Sequence, residues 1–519
     1  LPVYRAQDVS VVLSPEDSVL VLTRQLSAGD SIEGDIGAVR LTEDTDAGHK
    51  IAIRAVEHHA PVYKYGQIIG YATRPIAAGD WVHNHNMHNG AVRLDYEFGT
   101  DLRYPPPLTA GEERTFMGFA RPDGRVGTRN YLALVSTVNC SASATHLLLE
   151  RVKTVLPQFP NVDGVVAVTH KTGCGMALDG MEYKILQRCL AGMAGHPNVG
   201  ASLIIGLGCE VNQASALVQN QQLISPQSLL SASPAAPPVL TIQERGGVRR
   251  TVEAGFEQAL KLLKQADTAA RTPQPLSKLV VGTNCGGSDG SSGITANPAL
   301  GAAGDLLVRH GGTWLIAETS ETYGAEHLLT RRAVSREVGE KLLRQIRWWE
   351  EYTRSHGAEI DNNPAPGNKA GGLTTIFEKS LGAVVKSGTT PLTAVYDYAE
   401  QIRHSGFCFM DTPGHDPVSV TGLVAGGCNL VAFTTGRGSC LGFKPAPVLK
   451  IATNSALYHR MPDDMDMNAG VILEGVSVQD FGAQIFEELI AMANGRKSKS
   501  EAQGLGDHEF APWPLGPVL

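Results

Sequence analysis

No run of lysines and arginines, no apolar stretch of membrane-spanning length and no C-x-x-C pair occurs in this sequence. Without a basic run or an aromatic-interleaved stripe, and with a formal net charge of −8, the chain carries no electrostatic footprint for nucleic acid. Without the roughly 18 to 20 consecutive apolar residues that a spanning helix needs, no membrane partner is expected. The N-terminus lacks a basic segment followed by an apolar core, and the expected location is cytoplasmic. The eight cysteines, at 140, 174, 189, 209, 285, 408, 428 and 440, are too scattered for a disulfide framework and are expected to be reduced thiols. What the chain does have is glycine: 57 residues clustered between apolar runs without a period, which excludes collagen-like and low-complexity folds and points to backbone-lined sites. With 519 residues, 42% of them hydrophobic, there is material for about three packed domains and a small-molecule partner.

Residues 1–100 read as a small β-rich domain of short apolar or alternating runs broken by A-G-D turns at 28–30 and 78–80. At its end W-V-H-N-H places His83 and His85 at i and i+2, on one face of a strand, a spacing that suits metal or oxyanion binding and equally a solvated strand end. Three prolines at 105–107 mark a boundary. Residues 108–270 then read as α/β: apolar runs at 131–137, 162–168 and 203–205 end in turns carrying Cys140, His170-Lys171-Thr172-Gly173-Cys174 and Cys209-Glu210, with helical stretches between. Parallel strands joined by crossovers bind ligands outside their carboxyl ends, where these groups fall.

Residues 268–277 read as a linker into a C-terminal α/β domain, 276–519, with mainly parallel strands and glycine-rich strand-end loops. The densest of these loops is N-C-G-G-S-D-G-S-S-G-I-T-A-N-P at 284–298, in which the glycines allow close backbone approach while Cys285, Ser288, Asp289 and Asn297 supply polar groups. Further strand ends present Glu318 and Glu321, which suit a hard cation or acid–base work and also a solvated helix start. Lys369 lies in a glycine turn, and Arg437 is bracketed by glycines where a guanidinium can fork onto a carboxylate. Asn468 follows an acidic stretch at 463–466 that meets calcium-loop spacing only in part. The polar, proline-bearing tail from 498 is expected to dock on the surface.

The stretches T-H-K-T-G-C-G (169–175), G-L-G-C-E (206–210), the 284–298 loop, P-G-N-K-A-G-G-L (366–373), F-T-T-G-R-G (433–438) and D-M-D-M-N-A-G (464–470) resemble the altronate and galactarate dehydratase family over almost the whole chain. The N-terminal domain then resembles that family's β-clip module of the SAF type. V-H-N-H-N (82–86) and F-M-D-T-P-G-H-D-P (409–417) lean toward the altronate-acting branch. The resemblance implies loss of water from a sugar acid to give a 2-keto-3-deoxy acid, with a divalent metal, Fe2+ ahead of Mn2+. Taking the α-proton builds a second negative charge on the carboxylate, so cations must face it. On that reading Arg437, and with it Lys369, hold the carboxylate, His170 or Lys171 acts as base, and Ser288, Asn297 and Asn468 contact hydroxyls. Asp289, Glu318 and Glu321 bind the metal or the hydroxyls, Asp289 also serving in catalysis, and His83 and His85 are metal ligands or the acid. Cys174, Cys209 and Cys285 are read three ways: ligands of a mononuclear metal, three ligands of a 4Fe–4S cluster, or small buried packing residues. A homo-oligomer, a dimer, is expected. Galactarate dehydration, carbon–sulfur cleavage and non-catalytic binding of an acidic metabolite stay open beside the altronate reading.

Overall fold

Short apolar runs separated by glycine turns are too brief for helices, and they pair as strands. In the computed structural model, which describes residues 2–92, 94–225 and 235–514, strands Ser10–Val11, Val19–Leu22, Lys50–Ala52 and Trp81–Val82 form an antiparallel sheet in that order. Gln67–Ala72 pairs with Pro61–Lys64 and Met87–His88 in a second antiparallel sheet. Val9, Leu20, Leu22, Ile32 and Ile51 fill a small separate core. This is the β-clip module of the SAF type.

The strands of the two larger sheets beyond it are mostly buried on both faces and read as continuous apolar runs, as parallel strands under helices do. Strand Tyr131–Ser136 is buried throughout and lies between Gly164–Val168 and Val199–Gly206, with Val239–Thr241 at the edge, all parallel. The C-terminal sheet has seven parallel strands in the order Leu392–Tyr396, Gly406–Met410, Thr313–Ile316, Val280–Cys285, Leu430–Thr435, Val448–Ala452, Met467–Asn468. In each sheet the first strand in sequence has later strands on both sides. Tyr131–Ser136 and Val280–Cys285 therefore mark the topological switch points, where the crevice of an open α/β sheet forms. No helix among the described residues is long and apolar enough to cross a membrane.

Two segments differ from their sequence reading. The stretch at 268–277 is not only a linker: Thr272–Pro275 pairs antiparallel with Thr115–Ala120, its prolines tolerated at a sheet edge. The C-terminal tail does more than lie on the surface, because Trp513 is buried and stacks on Trp349 with centroids 5.1 Å apart. The burial of an indole that large outweighs the polar character of the residues around it.

Candidate active site

The strand Val280–Cys285 delivers its last side chain into a buried charge cluster. Cys285 N–H donates to Glu318 Oε2 at 3.1 Å, and Lys386 Nζ lies 2.8 Å from Cys285 Sγ and 2.5 Å from Glu318 Oε2. Lys379 Nζ donates to Glu321 Oε1 at 2.6 Å and to Asn363 Oδ1 at 2.8 Å. Asn284 donates to Asp416 at 2.8 Å beside them. Glu318 sits in the left-handed region at φ 66, held there by its N–H bond to Thr412 Oγ1, and that turn aims its carboxylate back under the strand end.

Asp416 is half-buried and the other groups are removed from water, and their protonation follows from that. Burial pushes Glu318 up to about 7 against the pull of Lys386. Burial and the neighbouring Glu318 push the Cys285 thiol up to about 12, so it is protonated at neutral pH. Burial and Glu321 raise Asp416 to about 6. Burial opposes the charge of Lys386, yet its acidic neighbours hold it above the ordinary lysine range. Among the described residues, Cys285, Glu318 and Glu321 form the one group of three His, Cys, Asp or Glu side chains whose ligand atoms all lie within 4.8 Å of one another. One sulfur and two carboxylates make a donor set that suits a divalent transition ion. Lys386 and Lys379 already occupy the same lone pairs, so an ion entering here displaces an ammonium.

Four residues further on, the same loop opens into a cleft of about 500 Å3 between the β-clip module and the C-terminal sheet, lined by Arg24, His49, Asp289, Arg437, Asn454 and Arg460 among others. Backbones meet here at distances only glycine permits: Gly290 N–H donates to Gly371 O at 2.8 Å, and a Cβ on Gly290 would lie 1.9 Å from Gly48 O. Asp289 is buried and accepts from Ser291 N, Ser292 Oγ, Thr453 Oγ1 and Asn454 Nδ2, which fixes it as the organiser of the loop. Burial raises its carboxyl above the usual range against those hydrogen bonds. Arg437 is exposed to the cleft, its backbone tied to Gly287 O at 2.8 Å, and among the described residues neither it nor Arg460 has an ion-pair partner.

The β-clip module is fastened to this cleft by a buried triad. Lys50 and Lys64 reach Glu378 at 2.9 and 2.8 Å, and Lys50 also donates to Gly372 O at 2.6 Å. Burial opposes the charge on Glu378, but the two ammonium groups hold it well below the usual carboxylate range. His83 Nε2 bonds Lys369 O at 2.9 Å, and Trp81 Nε1–H donates to His49 Nδ1 at 3.1 Å. Burial lowers His83 to about 4 and lowers His49, so both imidazoles are neutral.

The structure thus divides the sequence candidates among three places. Asp289 and Arg437 line the cleft; His83, Lys369 through its carbonyl, and Asn468 through Ser455 brace its walls. Ser288 is buried and its carbonyl accepts from Asn368, while His85 is exposed beside Trp81. Asn297 is spent on Gly382 O and Thr434 Oγ1. Cys285, Glu318 and Glu321 belong to the buried cluster. His170, Lys171, Cys174 and Cys209 stand apart, at the carboxyl end of the middle sheet. There His170 and Lys171 line a second cleft of about 720 Å3 with His146, His415 and His508. Both ring nitrogens of His170 are engaged, Nε2 with Ser136 O and Nδ1 with Thr172, and burial lowers it to about 4.

Sequence reasoning missed Lys379, Lys386, Arg24, Arg460, His49 and the Lys50–Glu378–Lys64 triad. Only the F-E-K at 377–379, charges inside an apolar run, carried a signal.

A β-clip module closing an arginine-lined crevice at the switch point of a parallel sheet defines a multidomain α/β enzyme for an anionic small molecule. Residues 8–90, 118–267 and 276–518 match, in turn, the altronate/galactarate dehydratase SAF domain, the D-galactarate dehydratase/altronate hydrolase second domain and the D-galactarate/altronate dehydratase C-terminal region. The chain belongs to the altronate/galactarate dehydratase family and is a hydro-lyase. It is 33% identical to altronate dehydratase of Bacillus subtilis, covering 94% of this chain and 95% of that one, and 35% identical to altronate dehydratase of Escherichia coli, covering 93% and 95%. It is 34% identical to galactarate dehydratase (L-threo-forming) of Escherichia coli, covering 92% of each.

Proposed function

We propose that this chain removes water from D-altronate to give 2-keto-3-deoxy-D-gluconate, using a divalent metal, Fe2+ ahead of Mn2+. The observation that carries the reading is the switch-point cleft with Arg437 and Arg460 side by side and, among the described residues, without ion-pair partners, Arg460 donating to Arg437 O at 3.3 Å. They bind the substrate carboxylate, and they stabilise the second negative charge that develops there when the α-proton leaves. Asp8, Asp46 and Glu474 line the same cleft, which favours the hydroxyls of an aldonate over the second carboxylate of an aldarate. His49, neutral and with Nδ1 taken by Trp81, keeps its proton on Nε2, which faces Ala370 O at 3.4 Å and so holds the ring in the cleft wall. The β-clip module, clamped by the Glu378 triad, excludes water from the loop that carries Asp289. Cys285, Glu318 and Glu321, on the strand ends from which the Asp289 loop runs to the cleft, would hold the metal, and a divalent ion there would supply Lewis-acid chemistry.

The test is an anaerobic assay with Fe2+ or Mn2+ against a panel of aldonates and aldarates, reading 2-keto-3-deoxy acid. D-altronate is expected to give the highest kcat/KM. A higher value for galactarate would overturn the substrate assignment, and no product from any sugar acid would overturn the reading itself.

A further inference from the structure

The middle sheet holds three cysteines that the dehydration chemistry does not use. Cys140, Cys174 and Cys209 follow the three adjacent parallel strands Tyr131–Ser136, Gly164–Val168 and Val199–Gly206, and all three are exposed. The thiol grouped with two of them on sequence grounds, Cys285, is buried in the other sheet. Cys140 takes its place, because it is the residue that leaves the central strand of the same sheet.

The loops that carry these cysteines are bonded to one another within one to three residues of each. Asn139 N–H donates to Thr172 O at 3.0 Å, joining the first loop to the second. Asn212 N–H donates to Gly173 O at 3.0 Å and Asn212 Nδ2 to Thr137 O at 2.8 Å, joining the third loop to both. The buried Glu210 accepts from Thr137 Oγ1 at 2.7 Å and from Gly208 N at 2.6 Å, which locks the turn before Cys209. Gly173 packs so tightly on the first loop that a Cβ there would lie 2.5 Å from Thr137 O, whereas one on Gly175 would meet nothing within 4 Å. The three loops therefore form a fixed rim with open space beside Cys174. One thiol already has a polar donor, since Gln243 Nε2–H lies 3.2 Å from Cys209 Sγ. An amide aimed at sulfur stabilises a thiolate and tunes the potential of a cluster.

We propose that Cys140, Cys174 and Cys209 ligate a 4Fe–4S cluster through three thiolates, leaving its fourth iron open to an external oxygen ligand. A single ion fits less well: among the described residues these thiols do not belong to any set of three ligand atoms within 4.8 Å of one another. A cubane of iron and sulfide is larger and keeps its thiolates further apart than one tetrahedral ion does. Cysteines offered from separate loops are also a ligand pattern that clusters accept. Exposed Lys171 on the same rim offsets the negative charge of such a cluster.

The test uses the full chain purified without air and reconstituted with ferric iron, sulfide and a thiol reductant. Wild type is expected to hold about four acid-labile sulfides and about five irons per chain, four in the cluster and one at the Cys285 site, with the matching visible absorption. Cys140→Ser, Cys174→Ser and Cys209→Ser should each lower the sulfide content at least several-fold, while Cys285→Ser and Cys440→Ser keep it. Absence of labile sulfide in wild type, a single zinc in its place, or retention of sulfide in the three rim variants would overturn the proposal. To guard against variants that fail to fold, wild type is alkylated before and after stripping with a chelator. Cys140, Cys174 and Cys209 should be protected only before stripping while exposed Cys440 labels in both, and equal labelling of all four beforehand would also overturn it. Because sulfide and labelling are read without turnover, this result stands apart from whether D-altronate is the substrate.

Discussion

The two parallel sheets use the same device to different ends. Each sets cysteines at or just beyond the carboxyl ends of its strands, yet Cys285 is buried beside two lysines and three carboxyl groups while Cys140, Cys174 and Cys209 are exposed. The difference lies in what covers the strand ends. Over the C-terminal sheet lie the helix Ile376–Val384, every residue of which is buried, and the β-clip module; the middle sheet ends in an open cleft. Position at a strand end places a residue where chemistry can occur, but cover decides which chemistry. Burial makes Cys285 a protonated thiol and raises Glu318 to about 7, whereas the thiols of the middle sheet stand open to solvent.

The largest expected effect comes from breaking the cover itself. Glu378→Gln leaves Lys50 and Lys64 as buried ammonium groups without a counter-charge, which should destabilise the protein by about 3–5 kcal/mol in chemical denaturation. A loss below about 1 kcal/mol would show that the triad does not hold the module down. Next is Arg437→Ala, expected to lower kcat/KM on D-altronate by about 10² to 10³ with the fold intact. If Lys171→Ala costs more than Arg437→Ala, the reaction belongs to the middle sheet and the comparison reverses. Smaller again is a contrast in reactivity. In metal-free enzyme at pH 8, Cys285 should react with iodoacetamide about 100-fold more slowly than exposed Cys440, because a buried thiol pushed up to about 12 supplies almost no thiolate.

Much of this arrangement can be read without coordinates, and the parts that cannot share a cause. The strand ends were legible because glycine, cysteine and acidic residues replace apolar ones there, so the 284–298 loop, Glu318, Glu321 and Arg437 stood out. The buried lysines were not, because Lys379 sits in I-F-E-K-S-L-G-A-V, where a Glu-Lys pair reads as the wet face of an amphipathic helix. Only tertiary cover shows that this face has no solvent. Arg24 and Arg460 were silent because a single arginine without a glycine turn looks like any surface cation. Cys174, Cys209 and Cys285 were grouped by motif similarity along the chain, which does not reveal that Cys285 ends a strand of a different sheet.

The smallest effect tests whether cover alone neutralises the histidines of the clamp. His83 is lowered from 6.5 to about 4 by burial, with the bond to Lys369 O opposing. The folded state therefore binds fewer protons than the unfolded chain between those values. Its contribution to stability is complete above pH 6.5 and is lost as the pH falls toward 4. His49 shifts in the same direction for the same reason, so the two should act together at the module's edge. Urea denaturation from pH 7 to 4.5 should show stability declining with acid, and His83→Gln should flatten part of that decline, because glutamine can keep a donor to Lys369 O but does not titrate. His170, also lowered to about 4, adds a decline of its own from the middle sheet, and the His83 variant leaves it in place. An unchanged slope in His83→Gln would mean that acid opens the middle sheet before it loosens the module, which would make the uncovered sheet the weaker half of the molecule.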